Sequence, residues 1–201
     1  MNKKEQSRQT FDMQANKYDT TFYGNHARKI YPYILDEIIH CYGDEVLDLG
    51  CGTGALMAQV ISEDYRRNVT GIDISKQMIT VAKQNLGNKA VLVIGDSEKL
   101  PFSDQYFDVV YCNDSFHHYP NPQKVIEEVY RVLKVGGTFI IGDTYLPIVA
   151  RQIMNIVIKF NHDGDVRIYS KKEIISLLSE NFHTVKWQKI ASSAYLIKGV
   201  K

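Results

Sequence analysis

The sequence predicts an α/β protein: a doubly wound, mostly parallel seven-stranded sheet closed by a C-terminal antiparallel hairpin. Three observations lead there. Five short apolar runs alternate with segments of helical periodicity between residues 45 and 142. The first run ends in an acid and passes straight into alternating glycines, Val46-Leu-Asp-Leu-Gly-Cys-Gly-Thr-Gly-Ala55. The last two β-rich runs, His183–Ile190 and Ala194–Val200, are separated only by Ala-Ser-Ser, which permits a hairpin and not a parallel crossover.

Taken in order, two helices are expected before the first strand, around Gln6–Lys17 and Asn25–Tyr42. Strands follow at Glu45–Leu49, Asn68–Ile72, Ala90–Ile94, Phe107–Cys112 and Thr138–Gly142, rich in Val and Ile as strands covered on both faces require. Helices Ala55–Glu63, Lys76–Leu86 and Gln123–Leu133 lie between them. Ser75 suits an N-cap, Pro122 a first helical turn, and Gly136-Gly137 a turn before the fifth strand. Leu146–Phe160 reads as an inserted apolar helix with an exit turn at Asn161–Asp165, and Ser170-Lys-Lys-Glu173 as a capping box opening a helix to about Glu180. The expected organisation is one domain over residues 1–201, with a helical cap at 1–43 and a helical lid at 144–169.

Composition narrows the partners. Lys and Arg number 24 against 23 Asp and Glu, a net charge of +1, and no basic block stands out, so nucleic acid is not expected as a partner. Three cysteines without C-x-x-C spacing argue against a disulfide framework or structural zinc and suit a reducing compartment. No apolar run approaches the roughly 20 residues of a membrane span, and the N-terminus has no apolar signal region. A cytoplasmic monomer or homodimer is the expectation.

The glycine stretch carries the chemistry. Asp48, Gly50, Gly52 and Gly54 form D-x-G-x-G-x-G between an apolar strand and a helix, the layout of a nucleoside-ligand site at the carboxyl end of a first parallel strand. Residues 50–55 also satisfy the dinucleotide pattern G-x-G-x-x-A. A nicotinamide-dependent oxidoreductase is therefore the alternative, and a non-catalytic nucleoside-binding module a third reading.

Further motifs follow in order: Gly71-Ile-Asp-Ile-Ser75, Gly95-Asp-Ser-Glu-Lys-Leu-Pro-Phe102, Phe107-Asp-Val-Val-Tyr-Cys-Asn113 with Phe116-His-His118, and Val132-Leu-Lys-Val-Gly-Gly137. With the glycine loop, this set resembles the class I S-adenosylmethionine-dependent methyltransferases, in the small-molecule branch of the ubiquinone and menaquinone C-methyltransferases. The resemblance implies a Rossmann-like fold, S-adenosylmethionine as methyl donor and S-adenosylhomocysteine as product.

It also implies a donor site of Tyr18, Asp48, Gly50, Cys51, Gly52, Asp73, Ile74, Met78, Asp96, Ser97 and Asn113. Asp73, about 20 residues beyond the glycine loop, can accept both ribose hydroxyls, and Asp96 the adenine amino group; each also suits a local turn or cap. Ile74 and Met78 can sandwich the adenine, or Met78 can simply pack in the core. The Gly50 and Gly52 amides can meet the methionine carboxylate.

Methyl transfer from a sulfonium is an in-line displacement in which alignment and desolvation supply much of the acceleration. Phe11, Tyr18 and Tyr23 are candidates to steady the cation through their ring faces. The acceptor site is expected at Asn113–Tyr119, where His117 and His118 are candidate general bases beside Asp114. No metal site is expected there, because adjacent side chains rarely converge on one ion. The family's members that methylate nucleic-acid amino groups carry two prolines after this point, and Asn113-Asp-Ser-Phe116 lacks them. Leu146, Ile148, Val149, Ile153, Met154, Ile156, Val157 and Ile158 are expected to lid the pocket, which suits a small apolar or aromatic acceptor; Arg167 is placed to face a substrate acid.

Overall fold

The computed structural model describes residues 2–161 and 163–201; His162, in the expected exit turn, lies outside them. Strands β1 (Glu45–Leu49), β2 (Asn68–Asp73), β3 (Val91–Ile94), β4 (Phe107–Asn113), β5 (Leu133–Thr144), β6 (His183–Ala191) and β7 (Ala194–Val200) form one sheet in the order β3-β2-β1-β4-β5-β7-β6. The first five pair in parallel, while β7 pairs antiparallel with both β5 and β6. The seven-stranded, hairpin-closed sheet expected from the sequence is thus the sheet observed.

Helices α1 (Lys3–Gln14), α2 (Phe22–Arg28), α3 (Tyr31–Ile39), α4 (Ala55–Glu63), α5 (Lys76–Leu86), α6 (Pro122–Val132), α7 (Ile148–Phe160) and α8 (Lys171–Ser179) complete the chain, with short 3-10 turns at Tyr18–Thr20 and Phe116–His118. Two buried clusters sandwich the sheet. Val46, Val109, Tyr111 and Ile140 face Ile34, Met57, Val60 and Ile79 on one side. Leu47, Val110, Cys112 and Ile141 face Val125, Val129, Ile174 and Leu178 on the other. Neighbouring residues of each strand thus supply opposite faces, so a fully covered parallel strand reads as continuously apolar.

Several boundaries move for physical reasons. The second helix is two, α2 and α3, interrupted at Lys29-Ile30. Pro32 lies in the first turn of α3, where its missing N–H costs nothing; within one long helix its ring would meet the carbonyl four residues back. The first helix starts at Lys3 because the Asn2 side chain accepts from the Glu5 amide. β5 begins at Leu133, directly after α6, instead of after a Gly136-Gly137 turn. Gly136, at φ +80°, sits within the strand and donates its amide to the Lys201 carbonyl at 2.9 Å. Both predicted caps are present: Ser75 accepts from the Met78 amide, and Ser170 and Glu173 make a reciprocal capping box.

The reversal of strand order falls between β1 and β4, which opens a crevice at their carboxyl ends. α1 crosses above it. Lys3 Nζ donates to the Ile158 and Asn161 carbonyls at 2.8 and 2.7 Å, so the first turn of α1 caps the last turn of α7.

Candidate active site

The glycine loop takes its shape from two backbone bonds. The Gly50 and Cys51 amides both donate to the Ile72 carbonyl, at 2.9 and 3.0 Å, which folds the loop back onto the end of β2. Gly50 lies at φ +78°, and a Cβ there would stand 2.6 Å from Ser115 Oγ. Only glycine fits both the conformation and the space. Asp73, at the end of β2, accepts from the Gly52 amide at 2.9 Å and from the Ser75 amide at 2.8 Å. It ties the loop to the start of α5.

These bonds correct one expectation. The Gly50 and Gly52 amides are satisfied by Ile72 and Asp73, so they are not free donors for a ligand carboxylate. Both glycines instead line the crevice and allow close approach along their Cα edges.

A cavity at the strand ends gathers every residue expected in the donor site: Tyr18, Asp48, Gly50, Cys51, Gly52, Asp73, Ile74, Met78, Asp96, Ser97 and Asn113. Burial pushes Asp48 up to about 8, with the Asp73 charge adding to it. Asp73 is pushed up to about 6 by burial, against the opposing pull of the Ser75 and Gly52 amides. Burial raises the Cys51 thiol well above its usual range. Asn113 Oδ1 is buried and makes no hydrogen bond among the described residues.

Sequence reasoning missed Lys4. It reaches down from α1, donates to Asp96 Oδ2 at 2.8 Å and lies 2.8 Å from Glu98 Oε2. No local signal marks it, since α1 and Asp96 are joined only by the tertiary fold. Tyr31, Ser115 and Tyr119 also line the cavity, and the Tyr119 hydroxyl lies 3.0 Å from Ser115 Oγ.

A second cavity of about 450 Å³ lies beside the first. Phe11, Tyr18, Asp114 and His118 line both and form the wall between them. The Phe11 ring packs edge-on to Tyr18 and His118, at centroid distances of 6.0 and 5.0 Å. Phe22, Tyr23, Leu146, Met154, Ile158 and Ile168 give the second cavity an apolar lining. Of the expected lid residues, only Leu146, Met154 and Ile158 reach it. Ile148, Val149, Ile153, Ile156 and Val157 point outward, at least half exposed, because the apolar face of α7 is wider than the strip that meets the cavity. Arg167 pairs with Glu173 at the surface instead of facing the cavity.

The two histidines have different environments. His117 Nδ1 lies 2.6 Å from Asp143 Oδ1, and Asp143 also accepts from the His117 amide at 3.0 Å. Burial disfavours the imidazolium, but Asp143, with help from Asp114 and Asp165, outweighs it and holds His117 at about 10. Asp143 thus engages Nδ1, and Nε2 is the His117 nitrogen left for other partners. Burial and the neighbouring His117 charge lower His118 to about 4. Ligand atoms of His117, His118 and Asp165 lie within 4.8 Å of one another. His26, unmarked in the sequence, hydrogen-bonds Asp114 Oδ2 at 2.7 Å and is raised by that bond.

Comparison with known proteins agrees with the architecture. Residues 47–141 match the family described as "Methyltransferase domain". An uncharacterized protein of Methanocaldococcus jannaschii, MJ1123, is 33% identical over 88% of this chain and 82% of its own length. The demethylmenaquinone methyltransferase of Lactobacillus johnsonii is 30% identical over 77% of this chain and 62% of its own. The Haloferax volcanii putative methyltransferase, solved with the Trm112 activator, superposes at a TM-score of 0.80 with 21% identity, covering 94% of this chain and 96% of that one. Over residues 47–141 the chain carries a methyltransferase domain, and its sheet has the fold of the solved methyltransferases it superposes on. It spans between about a third and a little over half of the first curated relatives it matches. No helix among the described residues is long and apolar enough to cross a membrane.

Proposed function

We propose that this chain transfers the methyl group of S-adenosylmethionine to a small apolar or aromatic acceptor by in-line displacement. One observation carries the reading: an acid-lined cavity meets an apolar one across the wall of Phe11, Tyr18, Asp114 and His118. The first cavity presents Asp48, Asp73, Asp96, Glu98 and Asp114, with Lys4 the one lysine or arginine among its described lining residues. Such a field favours a ligand bearing a sulfonium and an ammonium, and disfavours the pyrophosphate of a dinucleotide. That contrast sets the nicotinamide alternative aside.

S-adenosylmethionine supplies, when bound, an activated methyl group on a positively charged leaving group. The chain's residues divide the remaining work. Asp73 is proposed to take the ribose hydroxyls, Asp96 and Ser97 the adenine edge, Ile74 and Met78 its faces, and Asp48 the ammonium. Tyr18 and Phe11 flank the boundary and shield it from water. Residues 1–43 act as a cap and 144–169 as a partial lid on the acceptor side, in a single functional unit.

Calorimetric titration with S-adenosylhomocysteine, with NAD in parallel, tests the reading. Saturable binding of the first alone is the expected result, followed by methyl transfer in a screen of phenols and quinols. Binding of NAD alone overturns it.

A further inference from the structure

The turn at Phe116–His118 places two imidazoles side by side, with ring centroids 4.1 Å apart and planes tilted by 39°. A third donor is brought to them by the backbone. The Val166 and Arg167 amides donate to the His117 carbonyl at 2.9 and 3.2 Å, which seats the segment carrying Asp165 against the turn. Asp165 Oδ1 then lies 3.1 Å from His118 Nδ1 and 3.8 Å from His117 Nε2.

Those two spacings bracket the one a shared ion sets. Nitrogen and oxygen ligands at about 2.0–2.2 Å from a metal, set at a tetrahedral angle, are separated by roughly 3.3 Å. Two details go beyond proximity. His118 Nδ1 is buried and makes no hydrogen bond among the described residues, despite its closeness to Asp165. The opposite nitrogen of His117 is held by Asp143, which is 1% exposed and itself fixed by the His117 and Thr144 amides. A carboxylate behind a ligating histidine sets its tautomer and aims the other nitrogen at the ion.

We propose that His117 Nε2, His118 Nδ1 and Asp165 form a three-residue site for a divalent transition cation such as Zn²⁺, Co²⁺ or Mn²⁺. Two imidazoles and one carboxylate select such ions over Mg²⁺ or Ca²⁺. All three residues line the apolar cavity, so the remaining coordination positions open onto it. An acceptor hydroxyl bound there loses its proton to solvent on ligation and is held as an oxygen anion beside the wall shared with the donor cavity. Cation binding stands alone; the acceptor step rests on the methyltransferase reading.

Chelator-treated, full-length protein titrated with Co²⁺ tests the site, through calorimetry and the visible absorption of the bound ion. The expected result is one saturable equivalent with a low-symmetry spectrum, weakened at least 10-fold in Asp165→Asn and in His118→Phe, variants whose unfolding midpoints confirm folding. Absence of the equivalent, or unchanged affinity in both folded variants, overturns the proposal. Catechol added to the Co²⁺ protein should shift the bands; unshifted bands overturn the acceptor step. S-adenosylhomocysteine titration of the same preparation reports separately on the methyltransferase reading. Binding of that nucleoside without Co²⁺ defeats only the cation site, and Co²⁺ uptake without nucleoside binding defeats only the donor assignment.

Discussion

Asp73 Oδ2 accepts the Gly52 amide at 2.9 Å while its Oδ1 accepts the Ser75 amide at 2.8 Å, so one carboxylate joins the glycine loop to the helix that follows β2. Each oxygen keeps further acceptor capacity, which suits the proposed ribose contact. Asp73→Ala should weaken S-adenosylhomocysteine binding by about 1–3 kcal/mol, the cost of losing a charged hydrogen-bond partner. It should also lower the unfolding midpoint, because two amides lose their acceptor. Calorimetry on the folded variant checks it, and unchanged affinity would remove Asp73 from the donor site.

Asp48 yields a prediction in pH. Its usual value of 3.8 rises to about 8 in the fold, mainly through burial. Between those values the folded protein holds a proton that the unfolded chain has released. Stability from this group is therefore full below about pH 4 and is lost as pH rises through about 8. Asp48→Asn should raise stability at about pH 8 by on the order of 1–3 kcal/mol, with little gain near pH 4. Denaturant unfolding at both pH values decides it; an equal gain at each would contradict the burial argument. The same variant should bind donor more weakly, since the stored desolvation cost is what a ligand ammonium would relieve.

Much of this was legible in the sequence, for a physical reason. β1 to β4 and their helices are short segments whose periodicity is decided locally, and the glycine loop declares its own conformation. What could not be read was decided by distant contacts. His26 meets Asp114 across 88 positions, and Lys4 meets Asp96 across 92. The early start of β5 depends on pairing with Phe107, and Gly136 is held by the Lys201 carbonyl. α7 differs for another reason: its apolar face is broad, and the sequence does not say which strip of it meets the cavity. The His117–Asp143 bond was equally hidden, because Asp143 arrives from β5.

The glycine loop supports a comparison of two substitutions. Gly50→Ala places a Cβ 2.6 Å from Ser115 Oγ and 3.0 Å from the Tyr119 hydroxyl, at φ +78°. Gly52, at φ +52°, has nothing within 4 Å of its added Cβ. Positive φ alone costs a non-glycine residue about 1–3 kcal/mol. Gly52→Ala should lose only that amount, whereas Gly50→Ala should lose more, because Ser115 also donates to the Leu49 carbonyl and cannot move freely. Equal unfolding free energies for the two variants would show that the crowding at Gly50 relaxes without cost.

The clasp between α1 and α7 makes the last prediction one of dynamics. Lys3 Nζ donates to the Ile158 and Asn161 carbonyls, and it holds α1 over both cavities. Its neighbour Lys4 reaches Asp96 from the same helix, so loosening one contact loosens the cap on the donor cavity. Lys3→Met keeps most of the apolar stem and removes the ammonium, at a cost of about 1 kcal/mol for a partly exposed charged bond. Because α1 lies across the crevice at the strand ends and contributes no residue to either buried cluster, that loss should appear as local opening and leave the global unfolding midpoint nearly unchanged. Hydrogen exchange should accelerate at the amides of α1 and at the last turn of α7 together. Acceleration in α1 alone would mean that the two helices open independently and that Lys3 does not couple them.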